Sequence, residues 1–347
     1  MSDLSVTRPS RWLRRSAAAA IFAVLLPGCR GEPADRSGGP LAPVEGALLG
    51  AYVKPEGGFS RDDFLRGLRD MERALGRRLA IDMHYYHWSW TFPTWHERDD
   101  VAAGRIPMIS WGRFSAAAIG TRRQDRLIRR RARAVAAFGH PLFIRWFHEM
   151  DGGNAESDAG TPRAFVTAWR HIRGIFRSEG ATNAVWVWCP NASGFSTGRA
   201  QRFYPGDRYV DWICADGYNW SPLQAGGAPG GDWRTFADIF ADFYRWASQR
   251  GKPLMVGETG TQEGLPGRKA NWISDLGQDL PTRFPGIQAL VWFNAISTSN
   301  QGGTFDWRVD SSRDSLAAFR QLGRSRYFDP PRPRASGQRS GQSPNSE

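Results

Sequence analysis

The feature that most constrains this chain is an alternation. Between residues 47 and 322, short apolar runs recur eight times: 48–53, 79–84, 106–111, 141–149, 184–188, 210–215, 253–257 and 287–293. A run that short and that uniformly apolar suits a parallel strand buried on both faces. The stretches between them have helical period. Ser60 caps one, with Asp62 and Asp63 in its first turn, Phe64, Leu68, Met71 and Leu75 on one face, and Gly76 as its stop. Others are read at 123–138, from Thr161-Pro162 to Gly180 with Phe165, Trp169, Ile172 and Phe176 on one face, at 233–249 and at 312–322. Eight strands alternating with helices predict a single (β/α)8 barrel over 46–328, whose functional residues sit at the C-terminal ends of the strands.

The ends of the chain do not fit that pattern. Arg8, Arg11, Arg14 and Arg15 precede an apolar run at 17–26 that is too short to span a bilayer, and Leu26-Pro27-Gly28-Cys29 resembles a lipoprotein cleavage box. Residues 1–28 are therefore expected to be an export signal, with Cys29 as the lipidation site, 29–45 a flexible tether and 329–347 a disordered tail. This predicts a cell-envelope lipoprotein, or a secreted protein by the simpler route, touching the membrane through its lipid alone. The net charge of +12 lies largely on arginines of the signal, the tail and one helix face, with no nucleic-acid motif beside them. Of the three cysteines, Cys189 and Cys214 lie on consecutive strands; two buried thiols are expected, a disulfide being the alternative.

Strand-end positions supply the chemistry. The run at 141–149 delivers Glu149, next to His148, and Glu258 follows the run at 253–257. With them come His84, Trp88, Trp111, Asn191, Asp216, Tyr218, Trp292 and Asn294: aromatics, amides and two glutamates. Sixteen tryptophans strengthen the aromatic signal, half of them expected in the core and the rest free to stack on sugar rings. Paired carboxylates in an aromatic groove meet the requirement of glycoside hydrolysis, where one acid stays protonated and the other ionised. Arg145 has the inward parity of its strand, which suits either stabilisation of ionised Glu258 or a buried ion pair.

RWFHEMDG after the fourth strand, VWCPN after the fifth, YPGDRYVDWICADGYNW at the sixth and VGETG at the seventh together resemble glycoside hydrolase family 26, the endo-β-mannanase family that also holds β-glucanases and β-xylanases. The resemblance runs from about Leu48 to Phe319. It implies a retaining endo-β-glycosidase acting on a β-1,4-linked polysaccharide, most readily β-mannan. A monomer without cofactor or metal is expected. The resemblance implies Glu149 as acid/base, Glu258 as nucleophile, His148 as the residue orienting the carboxylates, Tyr218 as hydrogen-bond donor to the nucleophile and Trp292 as the aromatic floor of the sugar site. Trp111, His84, Trp88, Asn191 and Arg145 complete the expected groove. Asp151 stands where the family has asparagine, and the tryptophan-rich segment that usually follows is replaced by Gly152-Gly153-Asn154-Ala155-Glu156.

Two other readings compete. The closely spaced Asp82, His84 and His87 suggest a metal-dependent hydrolase. A non-catalytic glycan-binding lipoprotein serving polysaccharide export is the other; the presence of both glutamates, His148 and Tyr218 argues for an enzyme.

Overall fold

The computed structural model describes residues 38–153, 156–220, 233–298 and 304–329. The export signal, Cys29, most of the tether and residues 330–347 lie outside them. Eight parallel strands close into a barrel: β1 Leu48–Val53, β2 Ile81–Tyr86, β3 Ile106–Trp111, β4 Leu142–Trp146, β5 Ala184–Trp188, β6 Trp212–Asn219, β7 Leu254–Thr261 and β8 Ile287–Asn294, with β8 hydrogen-bonded back to β1. This is the (β/α)8 architecture that the alternation predicts.

The helices begin where local chemistry tells them to. In α1, Arg61–Leu75, Ser60 and Asp63 form a reciprocal capping box and Gly76 closes the helix in the left-handed conformation. α2, Trp95–Ala102, is not among the helices that the sequence pattern predicts, although Thr94 and Glu97 form the same capping box. Nor is the helix Arg268–Arg283 between β7 and β8. After β8 a short hairpin, Ile296–Thr298 with Thr304–Asp306, rises over the barrel's C-terminal end.

Period-2 alternation divides every strand between two apolar layers. Leu48, Ile81, Met83, Met108, Phe143, Val185, Val187, Met255, Ala289 and Val291 fill the barrel. Their neighbours face outward and pack under the helices, where the tryptophans concentrate: Trp146 stacks on Phe165 with ring centroids 5.4 Å apart, and Trp88 stacks on Trp111 at 4.3 Å. Each such ring removes about 150–250 Å² from water, worth roughly 4–6 kcal/mol at about 25 cal/mol per Å².

Three expectations change here. The tether expected over 29–45 does not run free to its end: Leu41 and Ala42 pack on the barrel's inner layer, Trp212 Nε1 donates to the Pro40 carbonyl at 2.7 Å, and Gln288 Nε2 donates to the Pro43 carbonyl at 2.7 Å. These residues cover apolar surface that the open barrel end would otherwise expose. Second, Cys189 and Cys214 are not two thiols but are joined as a disulfide, with Cα atoms 4.3 Å apart. Third, the fourth strand stops at Trp146 and the seventh continues through Glu258 to Thr261, and both shifts bear on the site.

Candidate active site

Two local irregularities aim the glutamates. Beyond Trp146 the chain leaves the sheet, with Phe147 and Glu149 both at positive φ, 53° and 55°. A left-handed conformation costs a non-glycine residue about 1–2 kcal/mol, so two in three residues mark a segment held by its surroundings. The hold is visible: Phe147 N–H donates to the Trp111 carbonyl at 3.0 Å and Glu149 N–H to the Cys189 carbonyl at 2.8 Å. The second irregularity is a bulge. Ala215 pairs with Val256, but Asp216 pairs with Glu258, leaving Gly257 as an extra residue. Without it, the parity set by inward Met255 would turn Glu258 toward the helices; with it, Glu258 points into the barrel mouth. Glycine is required there, because a Cβ at 257 would lie 2.7 Å from Cys189 Sγ and 2.8 Å from Asp216 Oδ1.

The two carboxylates meet in very different company. Glu258 accepts from Tyr85 Oη at 2.5 Å on one oxygen and from Tyr218 Oη at 2.6 Å on the other, and Arg145 Nη2 bonds the first oxygen as well. Burial opposes its ionisation, yet the Arg145 charge, with the two hydroxyls, holds it at about 2. Glu149 accepts no such set. Burial and then the Glu258 charge push it up to about 7, against the pull of Arg145 and of Arg113, whose guanidinium is 3.7 Å away. One oxygen each of Glu149, Asp216 and Glu258 lies within 4.8 Å of the others.

Arg145 is fully buried and serves both of the roles left open by the sequence. Its Nη1 lies 3.0 and 2.9 Å from the oxygens of Asp216, and its Nη2 donates to Ser110 Oγ at 2.9 Å besides Glu258. One guanidinium facing two buried carboxylates compensates one of them fully. Glu258, with three donors, takes the charge, and burial drives Asp216 well above the usual carboxylate range. His148 is half-buried, shares a hydrogen bond with Ser110 Oγ through Nδ1 at 3.2 Å and packs edge-on against Tyr85; burial lowers it to about 3, so it stands neutral beside the carboxylates. Asn191 reaches the site from the end of β5. Its backbone and side-chain N–H groups donate to Asp151 Oδ1 at 2.8 and 3.1 Å, which gives the buried aspartate of this chain a structural partner.

Two cavities flank the site, and both carboxylates line the first. One, about 710 Å³, is walled by Tyr218, Trp220, Phe293, Phe305 and Trp307. The other, about 660 Å³, is walled by Tyr52, Phe59, Tyr85, Trp90 and Trp95. Tyr218 belongs to the first and Tyr85 to the second, and both donate to Glu258.

Three expected groove residues are sealed away from the groove, and a fourth only borders it. Trp292, Trp111 and Trp88 are at most 2% exposed and face outward. Trp292 packs on Trp272 and Phe319 and donates through Nε1 to the Trp307 carbonyl at 2.8 Å; Trp111 donates to the Trp88 carbonyl at 3.0 Å. They are one residue out of register with the inner face, and Phe293, next to Trp292, takes the inward position. His84 borders the second cavity but turns outward from β2, its Nε2 3.2 Å from Asp82 and 3.5 Å from Asp100; burial alone would lower it, yet these carboxylates carry it up to about 10. His87, of the suggested metal trio, is exposed and shares its Nδ1 with Ser89 instead. The residues missed from sequence are Tyr85, Ser110, Phe293, Trp220 and Trp307. The first three were within reach of the parity rule, counting by twos from Met83, Met108 and Val291. Trp307 arrives from beyond the hairpin, which no local pattern foretells.

Residues 126–233 match the family model of glycosyl hydrolase family 26. Over 287 residues, 80% of this chain, the sequence is 30% identical to Endoglucanase H of Acetivibrio thermocellus, covering 30% of that protein. It is 26% identical over 184 residues to mannan endo-1,4-β-mannosidase A and B of Caldalkalibacillus mannanilyticus, covering 50% of this chain and 32% of that one. The chain thus spans less than a third of the length of these curated relatives. In fold it is similar to a family 26 β-mannanase structure from Bacteroides ovatus, with a TM-score of 0.58 and 17% identity over 81% of this chain and 89% of the other. Sequence match, barrel and strand-end carboxylates agree: this chain carries a glycosyl hydrolase family 26 domain.

Proposed function

We propose that the barrel is a retaining endo-β-glycosidase. Glu258 attacks the anomeric carbon while Glu149 gives its proton to the departing glycosidic oxygen. Glu149, now ionised, then takes a proton from water as that water displaces Glu258 from the sugar, which restores both groups. The observation that carries this reading is the opposed pair itself: Glu149 raised to about 7, Glu258 lowered to about 2, and oxygens of the two within 4.8 Å. Retaining enzymes hold their carboxyl groups about 5–5.5 Å apart, whereas inverting ones need about 6.5–9.5 Å to admit a water. Cavities beside both of the tyrosines that donate to Glu258 favour cutting within a chain over trimming its end.

The substrate class is a β-1,4-linked polysaccharide, with β-mannan the first reading. A second reading, β-glucan, is favoured by the longer similarity to an endoglucanase. The assay is reducing-end release from galactomannan, glucomannan, mixed-linkage β-glucan and β-xylan, with NMR of the first-formed anomer. Release with a β-anomer first supports the mechanism, and the polymer cleaved fastest names the substrate. An α-anomer first would make the enzyme inverting. Glycan binding without release from any polymer would leave a binding protein. We further propose export and lipidation at Cys29, tested by labelling the expressed full chain with a palmitate analogue and comparing Cys29→Ser, which should take up none.

A further inference from the structure

Behind the groove's second cavity lies a cluster that the proposed hydrolysis does not use. Asp82 and His84 project from the outer face of β2 and meet Asp100 from α2. All three are more than nine-tenths buried, at 3%, 8% and 2% exposure. His84 Nε2 lies 3.2 Å from Asp82 Oδ2 and 3.5 Å from Asp100 Oδ2, yet His84 Nε2 and Asp100 Oδ2 have no hydrogen-bond partner of acceptable geometry. Beside them is a cavity of about 10 Å³, lined by Asp82, His84 and Asp100 with Trp95 and His96, the volume of a single water or ion.

We infer that Asp82, His84 and Asp100 form a structural divalent-cation site, with Zn²⁺ the ion that fits best. Bonds of about 2.0–2.1 Å to imidazole nitrogen and carboxylate oxygen, in tetrahedral array, put ligand atoms about 3.3 Å apart, close to the two separations above. A hard six- to eight-coordinate ion such as Ca²⁺ would need more oxygens than this pocket supplies. Charge argues the same way. Asp99, which also borders the cavity, is paired through both oxygens with Arg61, and Arg105 is bidentate on Glu72, reaching Asp100 only at 3.6 Å. His84 and that longer contact to Arg105 are then the cationic neighbours of Asp82 and Asp100. Binding takes the neutral imidazole and releases any proton from Nε2 to solvent. The ion would tie α2 to β2 beneath Trp95, and so hold the wall of the second cavity.

The experiment is zinc binding by tag-free full barrel protein, stripped with a chelator and followed by calorimetry, metal analysis and melting. One Zn²⁺ per chain is expected, with Tm raised by about 4 °C or more at a hundredfold excess over Kd. Binding should survive in Glu149→Gln, which removes a ligand from the catalytic carboxylate group, and fall at least tenfold in His84→Gln. Binding lost in Glu149→Gln or kept in His84→Gln would move the ion elsewhere and overturn the site, as would folded wild-type protein that binds no zinc below 100 µM. Should His84→Gln not fold, Co²⁺-loaded wild type decides: intense visible bands of a tetrahedral ion support the site, and the weak bands of an octahedral one reject it.

Discussion

The inner and outer faces of the same strands teach different lessons. On β4, Arg145 points inward to Asp216 and Glu258, while Trp146 beside it points outward to Phe165. On β8, Phe293 lines the groove while Trp292 is sealed beneath the helices. The inner face at the barrel mouth is polar, closely hydrogen-bonded and electrostatically divided; the outer face carries the large rings. Residue type alone therefore misleads, because tryptophan is as useful for filling the wide space under a helix as for stacking on a sugar. What separates the two roles is parity, and parity is reset wherever a bulge or a left-handed residue interrupts the strand.

The sharpest test of the inner face is Glu258→Ala, expected to lower kcat/KM by at least about 10⁴-fold with the circular dichroism of the barrel unchanged. A loss below tenfold would remove Glu258 from the chemistry. The contrast itself is tested by neighbours. Trp292→Ala should cost about 3–5 kcal/mol in denaturant unfolding and leave KM of the folded protein unchanged, whereas Phe293→Ala should raise KM about two- to tenfold with little loss of stability. The reverse pattern would return Trp292 to the sugar site.

Tyr218→Phe removes one hydroxyl from Glu258 and should lower kcat about 10- to 100-fold, while moving the acid limb of kcat/KM upward from its low value near pH 2. The alkaline limb belongs to Glu149: activity should fall as pH rises through about 7, and that limb should vanish for Glu149→Gln on an aryl glycoside whose leaving group needs no proton. The same shift has a stability sign. Glu149 is raised from its ordinary 4.5, so its contribution is intact below pH 4.5 and lost as pH rises through 7. Glu149→Gln should therefore melt higher than wild type at pH 8 and level with it at pH 4. The smallest effect expected is from Trp90→Ala, a 59% exposed ring on the second cavity, which should raise KM for long chains about two- to tenfold and leave short aryl glycosides unaffected.

Much of this was legible in the chain itself. The eight apolar runs, the caps at Ser60 and Thr161 and the stop at Gly76 fixed the barrel, since each depends on neighbours within a turn or a strand. Glu149 and Glu258 were found because barrel topology brings strand ends together whatever the loops do. Which face a residue takes near a strand's end was not legible, because the bulge at Gly257 and the left-handed turn at Glu149 are held by partners far away in sequence: the Cys189–Cys214 pair, Asp216 and Trp111. Trp307 and the Asp82–His84–Asp100 cluster likewise exist only once the hairpin and α2 are docked. Local pattern determined the elements and their order; long-range packing decided where each side chain points, because a one-residue slip costs a local pattern little and exchanges the two faces of a strand entirely.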